Sequence, residues 1–201
     1  RQCLRALFKA CMKDTYTYRI GENLYINLTN RCSNRCTFCV REGATYEGYS
    51  LWLRGGEPTA EQVTAEIGDP KRYREVVFCG YGEPTYRVDE IVKIAEYVKS
   101  RGGKTRLNTN GHGNVINGRN IAPELALLDG INVSLNAPYD EDYDKVCRPK
   151  INNAFKEVIA FARACKSEGI DCWFSVVDCI GKDAVAACKK VADAAGIALR
   201  V

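Results

Sequence analysis

The chain has 201 residues, of which 46% are hydrophobic and 27% are charged, a composition that is typical of one globular domain and excludes a disordered chain. Basic residues outnumber acidic ones by only 29 to 25. With the two signs interspersed, this excess does not indicate a nucleic-acid groove. No apolar run approaches the roughly 20 residues of a membrane-spanning helix, and Arg5 and Lys9 interrupt the apolar positions near the start. We therefore expect neither a signal peptide nor a membrane anchor.

The cysteine content indicates the compartment. Eleven cysteines occur in a sequence without an export signal, and thiols in a reducing cytoplasm stay free or bind metal. The odd number also excludes complete pairing as disulfides within one chain. We therefore expect a cytoplasmic protein with free or metal-binding thiols.

The first elements in chain order are an extension and a hairpin. Residues 1–14 match no later unit of the sequence and are predicted to be an N-terminal extension, ahead of one core domain that covers residues 15–201. A β-hairpin is predicted next, with a strand at 15–19 and a turn at 21–23.

After the hairpin, segments typical of strands alternate with segments typical of helices. Because this alternation is the signature of a parallel sheet, it predicts an α/β fold, a partial (β/α)6 barrel of the TIM type. The predicted strands cover residues 24–29, 76–79, 105–110, 131–136, 172–178 and 198–201. The sixth strand ends the sequence, and we expect the substrate or a partner protein to cover the open barrel.

Three cysteines directly after the first predicted strand of the sheet form the strongest motif. Cys32, Cys36 and Cys39 are separated by three and then two residues, and such short spacing lets one loop hold three corners of an iron–sulfur cluster. Three ligands leave the fourth iron open to a substrate or cofactor. Structural zinc is the alternative, but zinc needs four ligands and the single histidine, His112, is distant in sequence.

Two predicted strands carry polar residues on one face, although a buried parallel strand is apolar on both. One interpretation is a solvated sheet face, and the other is a polar barrel lumen near the carboxyl ends of the strands, where βα folds place their sites. The residues are Arg106, Asn108 and Asn110 on the third strand, and Asn132, Ser134 and Asn136 on the fourth.

The spacing Cys-x3-Cys-x2-Cys with Phe38 before the last cysteine resembles the radical S-adenosylmethionine (SAM) superfamily. The resemblance implies that the three cysteines hold a catalytic 4Fe-4S cluster and that SAM chelates the open iron. It also implies an external one-electron donor of the flavodoxin or ferredoxin type. Reduction would cleave SAM to methionine and a 5′-deoxyadenosyl radical, which abstracts hydrogen from a substrate.

The superfamily also has a Gly-Gly-Glu-Pro type motif that engages the SAM amino group after the second strand. Residues 55–58 have these letters but follow Cys39 after only 15 residues, too few for a helix and a returning strand. Residues 80–85 leave 40 residues for the crossover. The resemblance therefore assigns SAM binding to Gly80, Gly82 and Glu83, with the glycines allowing close approach of the ligand. Thr59 and Gln62 predict a capping box for a helix at 60–67.

Other positions follow from the same resemblance. Phe38, Asn108, Asn110, Ser134 and Asn136 are expected near SAM. Arg148, or alternatively Arg106, could pair with the SAM carboxylate, and for Arg148 a surface arginine is the competing interpretation. His112 could contact SAM or substrate, although a lone loop histidine is more often solvated.

The sequences GYGEPT, LNTNGHGN, SLNAP and CRP resemble the TatD-linked radical SAM family, which implies an association with a TatD-type nuclease. The substrate is not defined by this resemblance. Cys165, Cys172, Cys179 and Cys188 lie on separate predicted elements and are expected to pack in the core rather than bind a second cluster. A non-catalytic iron–sulfur carrier and a zinc-stabilised interaction module remain the alternatives.

Overall fold

The computed structural model describes residues 14–43 and 45–201. The predicted extension, residues 1–14, lies outside these ranges except for Asp14.

A seven-stranded sheet forms the centre of the described chain, with the strands hydrogen-bonded in chain order. β1 is antiparallel to β2, and all later neighbours are parallel. The strands are β1 (Thr17–Ile20), β2 (Asn23–Ile26), β3 (Val76–Phe78), β4 (Thr105–Thr109), β5 (Gly130–Ser134), β6 (Cys172–Ser175) and β7 (Ala198–Arg200). The predicted α/β fold is confirmed, with an N-terminal hairpin whose second strand, β2, is the first of six parallel strands.

Helices connect the parallel strands. They are α1 (Ala60–Ile67), α2 (Val88–Ser100), α3 (Gly113–Asn117), α4 (Ala122–Leu125), α5 (Asp140–Cys147), α6 (Ala154–Ser167) and α7 (Lys182–Ala195). Short 3-10 turns cover Val40–Glu42, Pro70–Arg72, Pro84–Arg87 and Asp178–Ile180. The predicted capping box is confirmed, because Thr59 accepts a bond from the Gln62 backbone and the Gln62 side chain accepts one from the Thr59 backbone.

The two faces of the sheet differ in polarity. Alternate residues such as Phe78, Leu107 and Val133 are fully buried against the helices. Asn108 and Ser134 lie on the opposite, inner face and are only half-buried. A polar inner face is therefore present in this sheet, as the alternation in the sequence predicted.

The parallel strands are shorter than predicted at their carboxyl ends. β2 stops at Ile26 instead of residue 29, and the side-chain amide of Asn27 donates to the Thr15 and Leu51 carbonyl oxygens. β5 stops at Ser134 instead of residue 136, because Asn136 has a φ of 57°, in the left-handed region that no strand residue adopts. The segments beyond these ends form the loops that carry the candidate site.

None of the helices within the described ranges has the length and the apolar character that a bilayer crossing requires.

Candidate functional site

The carboxyl ends of the six parallel strands lie at one edge of the sheet, so the loops after β2, β3, β4 and β5 meet there. The loop after β2, residues 31–39, carries Cys32, Cys36 and Cys39, all half-buried and free. We call it the cysteine loop. It contains no helix or strand of its own, and it depends on the neighbouring elements for its conformation.

Backbone hydrogen bonds attach the cysteine loop to the end of α5. Arg35 N donates to the Cys147 carbonyl oxygen at 2.9 Å, and Thr37 N donates to that of Val146 at 2.9 Å. Lys150 N donates to the Ser33 carbonyl oxygen at 2.8 Å. The two bonds to α5 flank Cys36 and hold it against the buried Cys147.

A cavity of about 610 Å³ opens beside the loop. Its lining includes Asn34, Arg35, Cys36, Thr37, Cys39, Arg41, Trp52, Arg148 and Lys150. Cys32 lies apart from this lining, with its Sγ 3.8 Å from Asn110 Nδ2 and 3.4 Å from Asn34 N.

These residues suit a cluster better than a single ion. Among residues 14–43 and 45–201, no three His, Cys, Asp or Glu side chains converge on one metal-ion position. A 4Fe-4S cluster binds each thiolate through a different iron, so its ligands need not converge on one point. Asn34 Oδ1 is a buried acceptor without a hydrogen-bond partner among the described residues. Four basic side chains that line one cavity with Cys36 and Cys39 fit an anionic iron–sulfur group.

The thiols of Cys32 and Cys36 hold their protons when no metal is bound. Burial and the nearby Glu83 carboxylate raise the pKa of Cys32 to about 11. A hydrogen bond with the Cys147 thiol, together with burial, raises the pKa of Cys36, and the same bond lowers the pKa of Cys147. Ligation to iron therefore displaces protons from the loop.

The loop after β3 packs directly on the segment that leads into the cysteine loop. A Cβ added to Gly80 would lie 2.2 Å from Asn27 Oδ1, and one added to Gly82 would lie 2.3 Å from the Thr29 carbonyl oxygen. We expected these glycines to allow close approach of a ligand. The structure gives a different reason, because protein atoms occupy the space a side chain would need.

Glu83 joins the loop after β3 to the end of β4. Its Oε1 accepts bonds from Thr85 N and from the Thr85 and Thr109 hydroxyls, while Oε2 accepts one from Asn110 N at 2.7 Å. Burial raises the pKa of this carboxyl above its ordinary value. Among the residues that the structure describes, Asn110 N is the one donor to Oε2, so this oxygen retains capacity for one more hydrogen bond.

The other glycine-rich motif, residues 55–58, has a structural role in this fold. Glu57 pairs with Arg31 and Arg87, each at 2.9 Å, and accepts a bond from the Thr29 hydroxyl. No strand lies between residue 39 and this motif among the described residues, so only residues 80–85 follow a strand of the parallel sheet.

The inner face of β4 is hydrogen-bonded internally. Arg106 pairs with Glu75 at 2.9 Å and donates to Asn108 Oδ1 at 2.5 Å. These contacts hold Arg106 within the sheet. Beyond the strand, Asn110 Nδ2 donates to Ser33 Oγ at 2.8 Å and so reaches the cysteine loop.

Phe38 and Asn136 share a second cavity, of about 430 Å³. The lining includes the segment 136–138 after β5, together with Ile180 and the exposed Cys179. Ser134 does not line this cavity and lies on the inner face of β5. Its apolar side chains make the cavity suitable for a planar apolar group.

Arg148 lies where the loop, α5 and the first cavity meet. Its side chain is exposed and lines the cavity that also contains Cys36 and Cys39. The residue has a φ of 47°, at the position where α5 ends. The structure thus places this candidate cation near two of the cysteines.

Two expectations about single residues were wrong. His112 was more readily expected in solvent, but it is fully buried. Cys179 was expected in the core, but it is exposed, whereas Cys165, Cys172 and Cys188 are buried as predicted. The burial of His112 and the exposure of Cys179 were not predicted because both residues lie in connecting segments, whose burial depends on which other segments cover them.

Sequence reasoning also missed four residues of the site, namely Ser33, Asn34, Tyr143 and Lys150. Ser33 and Asn34 lie inside the cysteine motif, and that position is a signal that could have identified them. For Tyr143 and Lys150 the sequence offers no comparable signal, since their contacts form only on folding.

Comparisons with known proteins identify the family. The family model described as "Radical SAM superfamily" matches residues 26–181. A probable GTP 3′,8-cyclase of Thermococcus kodakarensis is 34% identical over 128 residues, which are 62% of this chain and 38% of that protein. Molybdenum cofactor biosynthesis protein 1 of Homo sapiens is 30% identical over 158 residues, 75% of this chain and 23% of that protein.

Solved structures resemble the fold. Streptococcus suis SuiB bound to precursor peptide SuiA matches with a TM-score of 0.65 and 16% identity, over 98% of this chain and 41% of SuiB. A radical SAM methyltransferase from Sphaerobacter thermophilus matches with a TM-score of 0.64 and 17% identity, over 92% of this chain and 57% of that chain. At such identities these matches concern the fold alone.

The chain spans less than half the length of the curated relatives described above. The family model, however, covers more than half of the chain, including the cysteine loop and the loops after β3, β4 and β5. The chain therefore belongs to the Radical SAM superfamily, whose cofactors are a 4Fe-4S cluster and S-adenosylmethionine.

Proposed function

We propose that this chain is the core of a radical SAM enzyme that cleaves SAM reductively and abstracts hydrogen from a substrate. The observation that supports this proposal most directly is the cysteine loop, with three free thiols, two of which line a cavity together with basic side chains. When bound, the reduced cluster supplies the electron that converts SAM to methionine and a 5′-deoxyadenosyl radical.

The residues of the chain bind and orient the cofactors. Cys32, Cys36 and Cys39 hold the cluster, and the fourth iron is left for SAM. Glu83 fixes the edge formed by the loop after β3 and the end of β4, and its Oε2 would accept a bond from the SAM amino group. Gly80 and Gly82 keep that loop close to the cysteine loop.

The cavity beside Phe38 and Asn136 accepts the adenine ring. Its volume, about 430 Å³, and its apolar side chains favour a planar group, while Asn136 offers polar atoms at its edge. Asn108, Asn110 and Ser134 lie on or just beyond the polar inner face. They would orient the ribose and the substrate by hydrogen bonds.

Arg148 pairs with the SAM carboxylate in this proposal. Its side chain is exposed and lines the same cavity as Cys36 and Cys39. Arg148→Ala should weaken SAM binding about tenfold, the usual effect of losing one charge-assisted hydrogen bond. Equilibrium dialysis of reconstituted protein measures this affinity, and Arg163→Ala is the matched control on the outer helix α6. If both variants bound SAM with equal affinity, Arg148 would be a surface arginine with no role in SAM binding.

We assign the finer family from the motifs GYGEPT, LNTNGHGN, SLNAP and CRP, which resemble TatD-linked radical SAM proteins. The partners proposed on that basis are a flavodoxin- or ferredoxin-type electron donor and a TatD-type nuclease, in a reducing cytoplasm. The reaction type is hydrogen abstraction by an oxidoreductase or an activase. The GTP 3′,8-cyclase reaction of the relatives is an alternative, supported by their 34% identity over part of this chain.

Turnover of SAM tests the proposed function. Protein reconstituted anaerobically with iron and sulfide, then reduced with dithionite, should release 5′-deoxyadenosine, and the Cys36→Ala variant should release none. A cluster that forms but leaves SAM intact would instead favour a non-catalytic iron–sulfur carrier. Adding GTP and analysing the products tests the cyclase alternative.

A further inference from the structure

A buried histidine and tyrosine lie directly beneath the cysteine loop. His112 and Tyr143 are both fully buried, and the Tyr143 hydroxyl lies 3.3 Å from His112 Nε2. His112 follows β4 and precedes α3, whereas Tyr143 is on α5. The pair thus connects two elements below the loop, and the proposed function has so far given it no role.

Both residues contact the segment between the first two cysteines. His112 Nδ1 lies 2.9 Å from Ser33 Oγ, and Asn34 Nδ2 donates to the Tyr143 hydroxyl oxygen at 3.0 Å. Ser33 and Asn34 are themselves buried. The pair therefore anchors two of the three residues that separate Cys32 from Cys36.

The donors and acceptors form one directed chain. Asn110 Nδ2 donates to Ser33 Oγ, and the Ser33 hydroxyl hydrogen is then available for His112 Nδ1. A neutral imidazole that accepts at Nδ1 carries its hydrogen on Nε2, which faces the Tyr143 oxygen. This assignment of the tautomer follows from the hydrogen-bond network.

Beyond Tyr143, the series of contacts reaches the thiols of Cys147 and Cys36. Tyr143 precedes Cys147 on α5; burial and the neighbouring Cys147 raise the pKa of Tyr143, and Cys147 and burial raise the pKa of Cys36. Burial lowers the pKa of His112 to about 4, so the ring is neutral near pH 7, as the directed chain requires. A cationic ring would carry hydrogen on both nitrogens and could not accept from Ser33.

We propose that His112 and Tyr143 are positioning residues for the cluster: they fix Ser33 and Asn34, and through them the separation and direction of Cys32 and Cys36. This inference rests on the proposed function, since it assumes that the loop binds a cluster. The proposal gives neither side chain a direct contact with the cluster or with SAM. Partners of this kind, one step removed from a metal ligand, typically change metal affinity 10- to 100-fold when they are removed.

A purely structural role makes a different prediction. A buried histidine and tyrosine that only fill the core would change the stability of the fold when substituted, with no effect on the properties of a bound cluster. The test therefore needs variants that fold and a measurement on the cluster itself.

Tyr143→Phe is the main variant, because it removes only the hydroxyl and keeps the ring that packs 5.9 Å from the ring of Phe155. His112→Asn is the second variant, since an amide can replace one ring nitrogen near Ser33. Tyr97→Phe is the matched control. Its hydroxyl donates to the Gly68 carbonyl oxygen at 2.8 Å, away from the site on α2.

The experiment reconstitutes each protein anaerobically and measures circular dichroism, iron per chain, the electron paramagnetic resonance (EPR) spectrum of the reduced cluster, and the half-life of the cluster against an iron chelator. We expect Tyr143→Phe and His112→Asn to retain native circular dichroism, to lose the cluster about tenfold faster and to show shifted EPR signals. Tyr97→Phe should match the parent protein.

Two results would overturn the proposal, and they differ from each other. Folded Tyr143→Phe with the parent's cluster lifetime and EPR spectrum would show that the pair has a structural role only. A parent protein that binds no cluster would remove the proposed function together with this inference. A His112→Asn variant that fails to fold leaves the decision with Tyr143→Phe.

Discussion

Gly82 is the residue whose substitution has the clearest steric consequence. A Cβ at this position would lie 2.3 Å from the Thr29 carbonyl oxygen and 2.6 Å from that of Arg31, both of them backbone atoms that cannot rotate away. Gly82→Ala should therefore destabilise the fold by about 1–3 kcal/mol, the usual range for overpacking.

Urea denaturation of the cluster-free protein measures this loss. Gly43→Ala is the matched control, because a Cβ there would have its nearest neighbours at 3.4 Å, at the edge of ordinary contact. If both variants unfolded at the same urea concentration, the close packing of the loop after β3 on the cysteine loop would be refuted.

His112 predicts a pH dependence of stability. Its pKa is about 4 in the fold and 6.5 in the unfolded chain. Between these values only the unfolded chain binds the proton, so the stabilisation is complete above pH 6.5 and is lost as the pH falls towards 4. The groups that face the ring, Ser33 and Tyr143, are uncharged in this range, and burial raises the pKa of Tyr143 further.

The expected loss is about 2 kcal/mol between about pH 7.5 and about pH 5. Urea unfolding of the cluster-free chain at both pH values measures it, and His112→Asn should show a clearly smaller difference. A variant with the same pH dependence as the parent would contradict a neutral, buried imidazole in the fold.

At the level of elements, α1 is stabilised by its capping box. Thr59 Oγ1 accepts a bond from Gln62 N at 3.3 Å, which satisfies one of the free amides at the start of the helix. Thr59→Ala should reduce the free energy of unfolding by about 1 kcal/mol. Thr64→Ala is the control on the same helix, since its hydroxyl only donates to the Glu61 carbonyl oxygen. Equal urea midpoints for the two variants would show that the cap does not stabilise α1.

The strands show which features of the fold can be predicted from sequence. The existence and order of the hairpin and the six parallel strands follow from apolar runs between turn signals, and all of them are present. The carboxyl ends were predicted too long, because residues 27–29 and 135–136 have strand-like letters but lie in loops. Their conformation is set by contacts across the site, such as those of Asn27, and not by local preference.

The candidate site, like the strands, could be predicted from the sequence only in part. The spacing of the cysteines identified the loop, and crossover length selected residues 80–85 over 55–58. The burial of His112 and its contact with Tyr143 could not be predicted, since the two residues are 31 positions apart and the motif LNTNGHGN, which contains His112, indicates no contact with Tyr143. Hydrogen bonds of this kind depend on how α5 packs against the loop after β4.

At the level of the whole molecule, the order of the sheet explains why the site forms. Strands β2 to β6 are neighbours in chain order, so four consecutive loops meet at one edge of the sheet. Cys32, Glu83, Asn110 and Asn136 each come from a different one of these loops. The remainder of the curated relatives lies beyond this core, since the chain covers 38% and 23% of the two described above.

The central claim is that the cysteine loop holds one 4Fe-4S cluster with an iron that is open to SAM. The most direct measurement is the EPR spectrum of reconstituted, dithionite-reduced protein with and without SAM, together with iron per chain, for the parent, Cys36→Ala and Cys165→Ala. We predict about four irons per chain and a spectrum that SAM changes, in the parent and in Cys165→Ala, and no cluster in Cys36→Ala. A cluster whose spectrum is unaffected by SAM, or one that persists in Cys36→Ala, would contradict the claim.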